Sequence, residues 1–416
     1  MPINSQIQSP IWRLVMALFF VPFVYLSISV AALGTVSGNG INVHEFPVPK
    51  IVERQVWFWE GVFARYGEQQ YLIHDQQYPD LIIDLVDFEA MRKRQGRSTP
   101  FTRAERDTLV QKYLERYKIA IERFAEHGPS AVKMGAMEKR VHSVYVRDAA
   151  AYKRLLAGKT ALRSQSGLAD EFKRAAQIAN KYLPYMERSF MKRGLPRDLT
   201  RVAFVESMFN VQATSKVGAG GIWQFMPGTA KRFMHVNNVV DERRNPLAAT
   251  EGAAQYLAMN YEKLKSWPLA ITSYNHGAGS VSRAVKSVGT NNIGEIIERY
   301  DGPTFGFASK NFYAEFLAAR NTYNRLYKHG KSEDSNPLRI SMVKLNRPAS
   351  VHAILRATGL PESRLRELNP SISNKAFAAT SVKLPEGFRV IVPIEHERAI
   401  KVSINKSTGK LPKGRA

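Results

Sequence analysis

Apolar residues return at helical spacing through "LADEFKRAAQIANKYLPYMERSFMKRG" (168–194), "NPLAATEGAAQYLAMNYEKL" (245–264) and "SKNFYAEFLAARNTYNRLY" (309–327), with polar and charged residues between them. That rhythm commits the middle of the chain to packed helices. It is broken by "VESMFNVQATSKVGAGGIWQFMPGTA" (205–230), where "LPRDLTRVAFVESMF" (195–209) reads as a turn and a short buried helix ending near Glu206. Gly218, Gly220 and Gly221 then permit a tight loop whose backbone approaches a ligand closely. Pro227 sits where a new helix takes its first turn. Glu206 stands among Phe204, Val205, Met208 and Phe209. Such surroundings favour the neutral carboxyl and raise its pKa, which suits a general acid that protonates a leaving group near neutral pH. A solvated carboxylate at the end of an amphipathic helix is the competing expectation, and local sequence does not separate the two.

The rest of the chain narrows the choice. Its 416 residues allow two or three domains, and 44% hydrophobic residues suit a globular protein. There are 60 Lys+Arg against 36 Asp+Glu, a net charge of +24, which favours an anionic partner. No zinc-finger spacing, RNP-type signature or basic zipper accompanies the charge, so nucleic acid is not expected as a partner. Cysteine is absent, which excludes disulfides, thiolate metal sites, a Cys nucleophile and a lipidated Cys. No His-Glu-x-x-His run supports a zinc hydrolase, and no metal or organic cofactor is expected.

At the N-terminus, Arg13 precedes an uncharged apolar run from Leu14 to Leu33, long enough to cross a bilayer. The small residues of "SVAALG" (29–34) also resemble a cleavage site. Residues 1–34 therefore read as a signal peptide or a membrane anchor, and either exports the remainder. Residues 35–50 read as a tether and 51–180 as a mostly helical leading region, with Trp57, Phe58 and Trp59 in its core. Residues 181–327 form the main helical domain and 328–337 a polar linker. Residues 338–394 run strand–helix–helix–strand, a small α+β module, and 395–416 form a basic tail.

Three motifs together resemble the soluble lytic transglycosylase domain. They are Glu206-Ser207, Ser215, Gly218-Ala219-Gly220-Gly221 and Gln224-Phe225-Met226-Pro227-Gly228-Thr229-Ala230; then Tyr274-Asn275-His276-Gly277-Ala278-Gly279; and last Tyr313 in "NFYAEFLAA" (311–319). They occur in the family's order over roughly 180–327, and the wider layout is similar to that of lytic murein transglycosylase D-like proteins. His276 stands where the family most often has Ala. The resemblance implies a mainly α fold: a lysozyme-like helical catalytic domain, a helical N-terminal region and a small α+β C-terminal module. That module is LysM-like but degenerate: "LRELNPSI" (365–372) and "LPEGFRVIVP" (384–393) fit, whereas "RPASVHAIL" (347–355) does not.

A hydrolysing glycosidase ordinarily uses two carboxylates, and the core motif holds one. Asp241, Glu242 and Glu251 read as solvated. The resemblance implies a reaction that needs only Glu206, first as acid and then as base, on the bond between N-acetylmuramic acid and N-acetylglucosamine, leaving a 1,6-anhydromuramyl end. It further implies that Ser215, Gln224 and Asn275 hold sugar groups, that Tyr274 and Met226 line the cleft, and that Tyr313 aims Glu206. The expected partner is the peptidoglycan glycan strand, whose carboxylates match the basic surface. The inner membrane joins it if the leader stays uncleaved. The leading region could dock a cell-wall synthesis or secretion-apparatus protein, although no motif identifies one. A hydrolytic muramidase of the same fold and a non-catalytic wall-binding scaffold are the alternatives.

Overall fold

The computed structural model describes residues 45–131, 134–328 and 336–405. Helix α1 (Lys50–Ala64) is followed by strands β1 (Gln70–Asp75) and β2 (Ile82–Asp87), then α2 (Phe88–Arg94), α3 (Arg103–Ala131), α4 (Ala136–Tyr145), α5 (Ala149–Leu156) and β3 (Leu162–Ser166). The helical domain continues with α6 (Ala169–Met191), α7 (Val202–Ser207), α8 (Pro227–Ala230), α9 (Pro246–Leu264), α10 (Trp267–His276), α11 (Ala278–Val288), α12 (Ile293–Arg299) and α13 (Phe307–Leu326). The last module comprises β4 (Ile340–Lys344), β5 (Ala349–Ser350), α14 (Val351–Thr358), α15 (Glu362–Leu368), α16 (Asn374–Ala378), β6 (Lys383–Leu384), β7 (Arg389–Pro393) and α17 (Glu397–Ser403).

Helix starts follow local chemistry. Proline occupies the first turn of α8, α9 and α10, where a missing N–H costs nothing. The Asn245 side chain accepts from the N–H groups of Leu247 and Ala248, capping α9. Asp148 and Ser350 cap α5 and α14 in the same way.

The leading region is mostly helical, as expected for 51–180, but it also holds strands that the sequence did not announce. It contains an antiparallel sheet in the order β2–β1–β3, with Gln70 opposite Asp87 and Tyr71 opposite Ser166. Strand β1 is buried along nearly its whole length because its faces serve two cores: Leu72 joins the main helical core, while Tyr71 and Ile73 join a second core against α3, α4 and α5. A strand buried on both faces shows no alternation in sequence, so it reads as an undifferentiated apolar run.

The boundary near residue 180 also moves. Helices α1 and α6 contribute Phe58, Trp59, Val62, Phe63, Phe172 and Leu183 to the same core as α9, α10 and α13. Phe58 and Trp59 are core residues, but Trp57 is 50% exposed with the Arg65 guanidinium over its ring. The expected tether is shorter than 35–50. Phe46 is buried with its ring 5.3 Å from that of Phe316, and α1 has begun by Lys50. Residues 35–44 of that tether, the leader 1–34 and residues 329–335 of the linker lie outside the described residues. Among the described residues no helix is long and apolar enough to cross a membrane.

In the C-terminal module β4 pairs antiparallel with β7, and α14 and α15 lie between them in sequence. The basic tail expected from 395 starts later. Helix α17 packs on β4 and α14 and buries Ile400 in the module's core, while 406–416 lie outside the described residues. The module is seated directly on the helical domain. Arg389 of β7 bonds both Glu242 oxygens and reaches Glu251 at 3.0 Å, and Asn245 donates to the Arg389 carbonyl. Asp241 pairs with Arg243 at 2.8 Å. The expectation of three solvated acids is thus overturned: Glu242 is fully buried, and all three are held by arginines.

Candidate active site

A 3-10 turn (Arg197–Arg201) feeds α7, which buries Val202, Ala203 and Phe204. The helix stops because Met208 and Phe209 adopt left-handed backbone (φ 49° and 56°), reversing the chain directly after Ser207. This conformation is unfavourable for residues other than glycine. Here it places the Phe209 ring edge-on to Phe204, 4.6 Å away, in a fully buried position. Ser207 then donates to the Ile222 carbonyl at 3.0 Å, fixing the helix end to the glycine loop.

Glu206 is half-buried on this short helix. Enough protein surrounds its carboxyl that desolvation raises its pKa from 4.5 to about 8, and the charge of Glu315 on α13 adds to the rise. No hydrogen-bond donor or cation pairs with the Glu206 carboxyl among the described residues, so nothing offsets the burial. A carboxyl in this state holds its proton at neutral pH and can give it to a leaving group.

The loop around it is built from backbone contacts. Ser215 N–H donates to the Ala219 carbonyl, Gly218 N–H donates to the Ser215 carbonyl, and the Ser215 hydroxyl accepts from Ala219 N–H at 2.9 Å. Gly221 (φ 72°) is required in a strict sense: a Cβ there would lie 1.8 Å from the Arg243 carbonyl oxygen. Gln224 also has positive φ (46°), and its amide donates to the Gly221 carbonyl at 2.8 Å. Arg243 reaches in from the other side, donating to the carbonyls of Gly218 and Phe225. Met226 follows on the surface, 43% exposed.

Tyr274 of α10 is the aromatic group beside Glu206. Its hydroxyl donates to the Trp223 carbonyl at 2.9 Å, and burial together with the Glu206 charge keeps it neutral, its pKa well above the usual tyrosine value. The next residue, Asn275, is exposed, with its side-chain oxygen accepting from Ser309. The same Ser309 hydroxyl lies 3.0 Å from His276 Nδ1, and the His276 ring packs edge-on against Phe305. His276 is thereby a brace between α10 and α13. Burial and Arg283 lower its pKa, so it is neutral.

Tyr313 does not meet Glu206 as expected. It is fully buried on α13 and donates to the Pro47 carbonyl at 2.9 Å, clamping the segment that precedes α1. The physical reason is the helix period: Tyr313 faces the α1 side, and the residue two positions on faces elsewhere. That residue, Glu315, was not anticipated as part of the site. Burial raises its pKa to about 8 as well. The signal was present, since "NFYAEFLAA" sets one acid in an apolar run just as "VAFVESMF" does.

The family described as Transglycosylase SLT domain matches residues 184–297. The chain is 26% identical over 250 residues to the membrane-bound lytic murein transglycosylase D of Escherichia coli (strain K12), a match covering 58% of this chain and 52% of that one. The chain thus spans about half the length of the curated relatives it matches. Two solved structures also resemble it. The inactive lytic transglycosylase Slt variant of Pseudomonas aeruginosa aligns at 18% identity and TM-score 0.30, over 46% of this chain and 30% of that one. The 70 kDa soluble lytic transglycosylase of Escherichia coli aligns at 15% identity and TM-score 0.29, over 56% and 44%. Residues 184–297 thus match the transglycosylase SLT domain family, in a chain similar to lytic murein transglycosylase D.

Proposed function

We propose that the chain is a peptidoglycan lytic transglycosylase with Glu206 as its acid and base. The observation that carries this reading is the protonated, unpaired Glu206 at the head of the glycine loop of an SLT domain. In the first step the Glu206 proton passes to the glycosidic oxygen as its bond to the muramyl C1 breaks. The positive charge at C1 is stabilised by the muramyl acetamido group. In the second step the C6 oxygen bonds to C1 and its hydroxyl proton returns to Glu206, so that the 1,6-anhydro ring closes and the enzyme is regenerated. Water is not consumed, and no metal or organic cofactor enters.

Gln224, its amide set by the bond to the Gly221 carbonyl, and exposed Asn275 hold sugar hydroxyl and acetamido groups in this reading, and exposed Met226 offers an apolar wall. Ser215 reaches substrate with the lone pairs its loop bond leaves free. Tyr274 excludes water on one side of Glu206. The basic surface attracts the anionic wall. The setting is the cell envelope, with residues 14–33 as signal or inner-membrane anchor. Because Arg389 ties the LysM-like module to Glu242 and Glu251, its proposed role is to brace the SLT domain.

The hydrolytic muramidase remains the second reading, because Glu315 supplies the additional acid it requires. Against it, Glu315 is itself held protonated by burial, whereas a hydrolytic nucleophile or base must be ionised. Mass spectrometry of sugars released from purified peptidoglycan by the full chain separates the readings. Anhydromuramyl ends that disappear in Glu206→Gln are expected. Reducing ends would establish hydrolysis, and no release from the wild-type chain would favour a binding protein.

A further inference from the structure

The glycine loop is gripped from outside by one side chain. A single terminal nitrogen of Arg243 donates to the Gly218 carbonyl at 2.7 Å and to the Phe225 carbonyl at 3.1 Å, gathering the two ends of the loop on one point. Between those carbonyls lie Gln224 and Gly221, where the Arg243 backbone leaves no room for a Cβ. Gly218 N–H is bonded in turn to the Ser215 carbonyl. The same loop holds the end of α7, through the bond from Ser207 to the Ile222 carbonyl, one residue beyond Glu206.

The direction of that grip is fixed by the C-terminal module. The other guanidinium nitrogens of Arg243 donate to both Asp241 oxygens, at 2.9 and 2.8 Å. Asp241 N–H donates to the Ser371 carbonyl of the module at 2.7 Å, and Ser373 N–H donates to the Val239 carbonyl at 3.0 Å. Val240, between them, bridges to Ile372 and is buried in the module's core, although in sequence it lies within residues 184–297. Glu242, between Asp241 and Arg243, is the residue that Arg389 of β7 clasps. Residues 239–243 are therefore a seam, pinned at one end by the module and holding the glycine loop at the other.

We propose that Arg243 is a positioning residue for the lytic reaction, and that the C-terminal module, by holding Asp241, aims it. Without the seam Gly218 and Phe225 relax, and Ser215 and Gln224 no longer hold the sugar in register with Glu206. The effect falls on alignment, because Asn275 lies on α10, outside the loop, and goes on holding sugar. Arg243 itself forms no bond to substrate. A lysine cannot stand in for it, since one ammonium has no planar fork to reach the carboxylate and both carbonyls together. The inference rests on the reading of the glycine loop as a sugar-holding part of the site.

The test is kcat and KM for sugar release from soluble glycan strands, prepared from purified peptidoglycan, by the full chain and its variants. Arg243→Met and Arg243→Lys should each lower kcat about a hundredfold while KM rises less than about fivefold, the mark of misaligned groups. Ser373→Pro removes the N–H on the Val239 carbonyl, at a φ of −68° that proline accepts, and should lower kcat about tenfold from the module side. Thr358→Val removes the hydroxyl that bonds the Ile354 carbonyl, inside the module and away from the seam, and should leave kcat within about twofold. Ser373→Pro added to Arg243→Met should cost nothing further, because both cut one path. Amide exchange reads the loop without activity: the Gly220 and Gly221 N–H groups, bonded to Phe225 and Ala213, should exchange faster in Arg243→Met and Ser373→Pro but not in Thr358→Val. Unchanged kcat and loop exchange in a folded Arg243→Met overturn the proposal. So do equal losses in Ser373→Pro and Thr358→Val, or independent losses in the double variant. Where Arg243→Met does not fold, Ser373→Pro against Thr358→Val decides. Reducing ends, or no release, from the wild-type chain would instead refute the lytic reading, and loop exchange would still report on Arg243.

Discussion

Glu206→Gln should stabilise the folded chain at neutral pH, and the gain should vanish in acid. The carboxyl has an ordinary pKa of 4.5 and a folded value of about 8. Below 4.5 it is neutral in both the folded and unfolded states and carries no penalty. Between 4.5 and about 8 the unfolded chain gains from ionising while the folded chain does not, so stability falls as pH rises through that window. At pH 7 the interval covers about 2.5 pH units at about 1.4 kcal/mol each, or about 3 kcal/mol. The neutral amide has no ionisation to suppress. With a urea slope of about 3 kcal/mol/M, the variant's midpoint should lie about 1 M higher at pH 7 and coincide with wild type near pH 4. Tryptophan fluorescence follows the transition, since Trp223 is fully buried in the same core. A midpoint difference that stays constant from pH 4 to 7 would refute the reasoning, because the gain would then come from packing and not from the suppressed charge.

Further outcomes follow from other contacts. Arg389→Met leaves Glu242 buried without its partner and should cost about 3–5 kcal/mol, seen as faster proteolytic release of the C-terminal module. Gly221→Ala drives a Cβ to within 1.8 Å of the Arg243 carbonyl and should cost at least about 2 kcal/mol, with sugar release lost as the loop shifts. Tyr313→Phe removes one hydrogen bond, to Pro47, and should lower stability by about 1 kcal/mol while changing the rate of sugar release less than about twofold. A hundredfold loss of rate in that variant would instead place Tyr313 in the machinery around Glu206.

The helices of the SLT domain were legible because their apolar stripes face one core, and the loop was legible because glycine and proline mark it. The apolar neighbours of Glu206 pointed toward a raised pKa, but local sequence left a solvated carboxylate equally open until the burial was seen. Glu315 in "NFYAEFLAA" has the same apolar neighbours as Glu206, but nothing in that run says which of its faces is buried. Which face of α13 points at α7 is a matter of three-dimensional packing that one helix's sequence does not contain. Strand β1 was hidden by burial on both faces, and Glu242 by a partner, Arg389, 147 positions away. Charged residues that pair across such distances look identical in sequence to solvated ones.

The seating of Phe46 and Pro47 against α13 carries the chain ahead of α1 into the same core as α7 and α10. A pull on that segment would therefore be borne first by α13, the helix that also packs on α7, so the site's backbone is mechanically coupled to the start of the folded chain.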